Sequence, residues 1–326
     1  MIQRSSGASS TTTQQQNSAA GSISRQSTAS LFMPSDSTTS GSACGSIELS
    51  VIVPVYNEEA TLGVALERLL ALPIERLEVI VADDGSTDRT PTIIADAARA
   101  DQRIRPFRLE RNAGKTAAVR RGIEAVQGDV MIIQDADLEY DATEIPRLIE
   151  PIFDGSADVV YGSRLLGRPA RGNWPFWHYW GNRAVTALSN CFVHWKLTDV
   201  ETCYKAFRAP ILKELTLASQ RFGMEIEVTA MASRTQARFL ELPISYAPRH
   251  VSEGKKIRFT DGLWAIYYIL RYNALAAWSR HSRQYVQLVN RELDDSLLEA
   301  RWETSNGSVA MAGRSSDAPT TTPSST

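Results

Sequence analysis

Cysteine is scarce in this chain: Cys44, Cys191 and Cys203 are the only three in 326 residues. No two of them stand at a metal-ligand spacing, and an odd, sparse set makes no disulfide framework, so the count fits a reducing compartment. A net charge of -2 gives no general attraction to nucleic acid or to an acidic membrane. Long apolar runs are missing too. No segment reaches the ~18–20 uninterrupted apolar residues of a membrane span. The nearest approach, LWAIYYILRYNALAAW (263–278), is broken by Arg271 and Asn273. A hydrophobic fraction of 43% and a charged fraction of 22% are nonetheless those of an ordinary globular protein.

Residues 1–46 consist largely of Ser, Thr, Gln, Gly and Ala. Such a segment buries almost nothing and reads as a disordered tail. No apolar stretch follows a basic start, so it is not a secretory signal. Its serines, Arg4 and Arg25, and the lack of acids before Asp36 leave a transit peptide as the alternative. Residues 305–326 read as a second tail.

Between the tails the pattern alternates. Short β-branched runs at 49–55, 77–82, 104–109, 129–133 and 157–163 predict strands. Segments at 58–72, 86–100, 113–126 and 142–153 have helical spacing or helix-start signals, with Asn57 as N-cap of the first and Ser86 or Thr87 of the second. Strands alternating with helices mean parallel βαβ units, and strands apolar on both faces mean a sheet covered on both sides. Ligands of such sheets bind beyond the carboxyl ends of the strands. The residues there read PVYNE (54–58), ADDGS (82–86), ERNAGK (110–115), QDADLE (134–139) and YGSR (161–164).

QDADLE concentrates acid. In an extended chain Asp135 and Asp137 project to the same side, with Cα atoms ~6.5–7 Å apart. Two carboxylates so placed repel unless a cation lies between them, and Mg²⁺ or Mn²⁺ suits oxygen ligands. Glu139 is either a third ligand or a solvated acid. In ADDGSTD, Asp83 suits a base or ribose and Asp88 a helix start. Gly114-Lys115-Thr116 imitates a P-loop, but Leu109 stands where its first glycine belongs. Lys115 at a helix start still approaches a ligand. The second half is rich in cations: Arg164, Arg168, Arg171, Arg183, Lys255, Lys256 and Arg258. GNWPFWHYWGNR (172–183) reads as an aromatic, basic-flanked loop suited to a lipid chain. The 263–278 helix packs either on the core or on a membrane surface. Glu225 and Glu227 are each a candidate base or a brace for an acceptor loop.

SVIVPVYNEEATL, VADDGSTDRT, RNAGKTAAVRRGI, GDVMIIQDADLEYDATEIPRLI, ADVVYGSRLLG, LTDVETCYKAFR and EGKKIRFTDG, in this order, resemble the family 2 glycosyltransferases. The likeness is greatest to the dolichyl-phosphate mannosyltransferase and polyprenyl-phosphate sugar synthase branch, over 48–275. It implies a GT-A fold: a mixed, mostly parallel α/β sheet with helices on both faces. It also implies a nucleotide-sugar donor. Pro54, Tyr56, Glu58, Asp83, Asp84, Lys115 and Ala136 then fall around the nucleotide. Asp135 and Asp137, with Glu139, hold Mg²⁺ or Mn²⁺. Asp137 and Arg164 are the catalytic pair, and Arg164, Arg183, Lys255 and Arg258 face an acceptor phosphate. Ala142 stands where many relatives have Pro, and TCYKAF replaces the commoner Ser-Gly-Phe-Arg ending.

The expected organisation is a glycosyltransferase domain at 47–258, with a nucleotide-sugar half at 47–163 and an acceptor half at 164–258. A C-terminal helical extension follows at 259–304. The expected activity is inverting transfer of a hexose, mannose from GDP-mannose first and glucose from UDP-glucose second, to a polyprenyl or dolichyl phosphate. The protein would sit at the cytoplasmic face of a membrane, directly or through a membrane subunit. The alternatives are a glycan or other hydroxyl acceptor, and a non-catalytic nucleotide-sugar-binding protein.

Overall fold

The computed structural model describes residues 48–166, 176–220, 223–248, 259–275 and 279–295. Both expected tails, and the candidate cations Arg168, Arg171, Lys255, Lys256 and Arg258, lie outside the described residues. The described residues belong to one compact unit.

The strands are β1 (Leu49–Val55), β2 (Leu77–Asp83), β3 (Ile104–Arg108), β4 (Val130–Ile133), β5 (Val159–Ser163), β6 (Lys205–Arg208) and β7 (Phe239–Pro243). They form one sheet in the order β3-β2-β1-β4-β6-β5-β7. β1, β2 and β4 are buried along their whole length, as their two-sided apolar runs require. The helices are α1 (Leu62–Leu70), α2 (Thr90–Ala100), α3 (Lys115–Ile123), α4 (Ile145–Phe153), α5 (Phe176–Asn190), α6 (Ala209–Lys213), α7 (Met224–Ala232) and α8 (Phe259–Leu270). A π-helical turn, Arg271–Leu275, continues α8, and 280–295 form α9.

Two expectations about helix starts fail. α1 begins at Leu62, four residues after the expected start, and Asn57 does not cap it. Asn57 takes a left-handed backbone, φ 53°, and its side-chain oxygen accepts from Thr87 N at 2.8 Å. The α2 start is held by Asp88, which accepts from Thr90 N at 2.9 Å. In both cases the polar side chains stitch neighbouring loops together instead. The aromatic segment 172–183 is not all loop: from Phe176 onward it is the first part of α5.

Topology decides what meets at the site. β1, β2, β3, β4, β5 and β7 run one way, and β6 runs against both its neighbours, β4 and β5. The residues entering β6 therefore lie at the edge where β4 and β5 end. Met131 pairs with Phe207, and Tyr161 with Lys205. Continuing both ladders brings Cys203 level with Asp135 and with Ser163.

At the opposite end of β5, buried Asp158 ties the β5 and β7 ends together. Its two oxygens accept from Arg238 Nη2 and Nε, each at 2.8 Å, and one of them also accepts from Arg238 N at 2.9 Å. Arg238 stays 40% exposed, which places the loss on breaking this pair near the low end of the range for buried ion pairs. Asp158→Ala is expected to destabilise the fold by about 2–3 kcal/mol, read as a shift in the midpoint of urea unfolding with an unchanged slope.

Candidate active site

The first two loops at the carboxyl edge are zipped together. Asn57 N donates to Ser86 Oγ (2.9 Å) and Glu58 N to Thr90 Oγ1 (3.0 Å). Glu59 N donates to Asp88 Oδ2 (3.1 Å), and Arg89 N to Glu59 Oε2 (2.9 Å). Pro54 is within β1, Tyr56 is half-buried, and Glu58 Oε2 accepts from Thr61 Oγ1 at 3.0 Å.

Asp83 and Asp84 are both buried but differ in role. Asp83 Oδ1 accepts from Ser86 N at 2.8 Å. Its Oδ2 has no hydrogen-bond partner, and Arg108 Nε lies 3.5 Å away. A buried oxygen with an ion-pair partner but no hydrogen bond suits an N–H donor from a ligand. Asp84 is turned to the next loop: its oxygens accept from Ala113 N and Gly114 N at 2.8 and 2.7 Å. Gly85, at φ 74°, allows the close approach, since a Cβ there would meet Arg111 C at 2.7 Å. Asp84 thus sets the start of α3, and with it the position of Lys115.

Lys115 crosses to the acidic loop. Its Nζ lies 2.9 and 3.0 Å from the two oxygens of Asp135, 3.3 Å from Glu225 Oε1 and 3.6 Å from Cys203 Sγ. Burial alone would lower its pKa, but the charge of Asp135 and its neighbours outweighs this and holds it well above the usual value. Burial, with Asp135 nearby, pushes the Cys203 thiol up, so it stays protonated.

The chain leaves β4 after Ile133 and turns from buried Ala136 onward, so Asp137 sits on a turn rather than on an extended strand. Asp137 Oδ1 accepts from Glu139 N at 3.1 Å, and Leu138 has a left-handed backbone, φ 61°. Such strain in a non-glycine residue concentrates at functional turns. Glu139 Oε2 accepts from Tyr246 OH at 2.6 Å, and Glu139 O from Ala247 N at 2.9 Å. Among the described residues, no three His, Cys, Asp or Glu side chains gather into a ready-made metal cage. The donor set still fits a hard divalent ion. It offers two half-buried carboxylates, and ions of this kind often take one or two carboxylates and complete their shell with substrate phosphates.

Arg164 lies on the other side of Tyr246, its guanidinium 5.1 Å from the ring centre. Its Nε and Nη2 donate to the two oxygens of Asp199 at 2.7 and 2.8 Å. Asp199, fully buried, also accepts from Asn182 Nδ2 of α5 at 2.8 Å. Burial would raise the Asp199 carboxyl, but Arg164 and Asn182 hold it below the ordinary value. Arg183, next to Asn182, is exposed, its guanidinium 6.0 Å from the Tyr179 ring centre.

Of the two acids offered by α7, Glu227 braces a loop by accepting from Ala218 N and Ser219 N, and Glu225 faces Lys115. Asp199, Cys203 and Tyr246 were not singled out by their sequence. Asp199 and Cys203 lie inside a motif-bearing stretch. Tyr246 carries no local signal, because only the β7 exit brings it to Glu139.

This mixed sheet, with acids at its carboxyl edge, is a GT-A fold. The solved structure of glucosyl-3-phosphoglycerate synthase from Mycobacterium tuberculosis, in complex with Mn²⁺, UDP and phosphoglyceric acid, shares it. That likeness has a TM-score of 0.54 at 20% identity, covering 70% of this chain and 78% of that one. The family model described as Glycosyl transferase family 2 matches residues 50–216, half of the chain, and the chain belongs to that family. It is 30% identical to glycosyltransferase AglD of Haloferax volcanii, over 66% of this chain and 36% of that protein. It is 32% identical to the undecaprenyl-phosphate 4-deoxy-4-formamido-L-arabinose transferase of Aeromonas hydrophila, over 64% of this chain and 62% of that protein. The chain thus spans less than two thirds of the length of these relatives.

Asp199→Asn removes the counter-charge of a buried guanidinium and is expected to cost about 3–5 kcal/mol, read by denaturant unfolding at neutral pH. Because the folded pKa of Asp199 is depressed, its contribution is present above about pH 4. It is lost as pH falls through the folded value below that. The stability curve of the variant should therefore be flatter than the wild type's in that acid window.

Proposed function

We propose that this protein transfers a hexose from a nucleotide diphosphate sugar to a polyprenyl phosphate. The observation that carries this reading is one continuous array at the carboxyl edge. Asp135 and Asp137 stand on one side, Glu139 and Tyr246 link across, and Arg164 lies beyond. Anion-handling groups thus flank the two ends of a phosphate-to-phosphate transfer.

In this reading Pro54, Tyr56, Glu58 and Ala136 surround the nucleotide, and the open oxygen of Asp83 accepts an N–H from the base. Asp84 positions the loop that delivers Lys115. Asp135 and Asp137, with Glu139 beside them, would hold Mg²⁺ or Mn²⁺, which when bound supplies Lewis-acid neutralisation of the leaving diphosphate. An acceptor phosphate is already anionic near neutral pH and needs a cationic cradle rather than a strong base. Arg164 sets the inner wall of that cradle, held rigid by Asp199. Exposed Arg183 supplies an outer charge; Lys255 and Arg258, the other expected acceptor cations, lie outside the described residues. Preorganised charge of this kind is the largest catalytic contribution in many enzymes.

The lipid part of the reading rests on α8 and α5. On α8, Ala265, Tyr268 and Ile269 are buried, while Trp264, Ile266, Tyr267 and Leu270 are exposed, as is Trp180 of α5, the helix α8 packs on. Aromatics of this kind favour the membrane interface. No helix among the described residues is long and apolar enough to cross a membrane, so the contact proposed is peripheral, at the cytoplasmic face. Mannose from GDP-mannose is the donor we assign, on the branch resemblance. The relatives' names carry other sugars, so the donor is the first thing to test.

A panel of radiolabelled nucleotide sugars offered with short polyprenyl phosphates should move label into the organic phase from one donor, as a product labile to mild acid. An acid-stable product would mean a hydroxyl acceptor, and nucleotide-sugar binding without release of nucleotide would mean a non-catalytic protein. Asp137→Ala should lower turnover by about 10²-fold or more; undiminished turnover would remove Asp137 from the mechanism. Replacing Trp264 and Leu270 together by Ser should reduce co-flotation with phospholipid vesicles without shifting the thermal midpoint.

A further inference from the structure

A lysine already stands where a cation is wanted. Lys115 Nζ lies within 3.0 Å of both oxygens of Asp135, and its other close neighbours are Glu225 Oε1 at 3.3 Å and Cys203 Sγ at 3.6 Å. The ammonium donates hydrogen bonds to Asp135 and Cys203, and Glu225 answers its charge as an ion pair. A divalent ion taking Asp135 would face this ammonium at close range, and like charges so near repel. Sharing Asp135 as arranged would set two cations side by side with no further counter-charge on that carboxylate.

The second partner offers a way out. Glu225 is on the first turn of α7, a helix buried at every position, and its side chain is 4% exposed. Its Oε2 is buried and has no hydrogen-bond partner. Glu225 therefore has acceptor capacity unused in this arrangement, 3.3 Å from an ammonium on a flexible four-carbon stem. The backbone just before Lys115 is anchored at Ala113 and Gly114 by Asp84, so the head group can change partner while the backbone stays.

We propose that Lys115 is a resident counter-ion of Asp135 that gives way when donor and metal arrive, with Glu225 as the berth that receives it. The divalent ion then binds together with the nucleotide diphosphate rather than ahead of it. The diphosphate brings the negative charge that lets two cations share the site. Lys115 is in this sense a positioning residue: it holds the Asp135 side chain in place without metal, and makes metal occupancy conditional on substrate. The inference rests on Asp135 being a ligand of the ion.

The test is Mn²⁺ binding by the full chain, followed by the electron paramagnetic resonance of free Mn²⁺, with and without GDP or UDP. The wild type should bind weakly alone and more tightly with the matching nucleoside diphosphate. Lys115→Met should bind Mn²⁺ about tenfold more tightly without nucleotide, the loss of one charge-assisted contact on Asp135, and should gain less from nucleotide. Glu225→Gln should shift the other way, because the ammonium loses its alternative partner. Lys115→Arg, keeping the charge, should behave as the wild type. If Lys115→Met leaves nucleotide-free affinity unchanged while Asp135→Asn abolishes binding, the counter-ion role is wrong and the metal site stands. A Lys115→Arg variant that matches Lys115→Met would equally overturn it. If Asp135→Asn and Asp137→Asn leave Mn²⁺ binding intact, the metal reading fails and this inference with it.

Discussion

One reversed strand is the constraint on which the site depends. β6 lies antiparallel between β4 and β5, so its N-terminal flank arrives where their C-terminal ends emerge. Asp199 meets Arg164 in this way, and Cys203 meets the ammonium of Lys115. A purely parallel sheet would carry that flank to the far edge. The side chains that hold the acidic loop and the arginine in place would then be a strand's length away.

Burying so many charges together is costly unless each is answered. The structure answers most of them in small sets. Arg164, Asp199 and Asn182 form one, and Lys115, Asp135 and Glu225 form another. Lys205, wholly buried, donates to the carbonyls of Val200 and Thr202 and lies 4.4 Å from the Tyr161 ring centre. Burial pulls its pKa down, and burial beside Glu225 pushes that of Glu201 up. Each set fixes a geometry that flexible surface pairs would not hold. Tyr246 joins two parts of the array by bonding Glu139 and stacking near Arg164. The arginine side of the array is therefore tied to its acidic side through ordinary packing.

Much of the fold was legible because it is written locally. β-branched runs and leucine spacing placed the strands of the first half to within two residues and its helices to within four, since two-sided burial leaves few other patterns. The misplaced helix starts share one cause. Asn57, Ser86 and Thr87 are good capping residues, but here they bond between loops, and no local rule distinguishes a cap from a stitch. In the aromatic stretch from Phe176, glycine, proline and tryptophan argued for a loop. Packing against α8 makes it a helix instead.

The site divides along the same line. The acids of the β4 exit and the arginine of the β5 exit were readable because they follow apolar runs in a βαβ chain. By itself, the order of residues determined that a sheet would present these groups at one edge, in a family 2 glycosyltransferase frame. Only the tertiary structure decided which acids keep an oxygen without a hydrogen bond and which serve the frame. Asp83 keeps an open oxygen, Asp84 holds a loop, and Glu225 rather than Glu227 reaches Lys115. The reason is physical. A carboxylate's role depends on which donors lie within about 3 Å of it, and those donors come from segments distant in sequence, joined only when the sheet closes around β6.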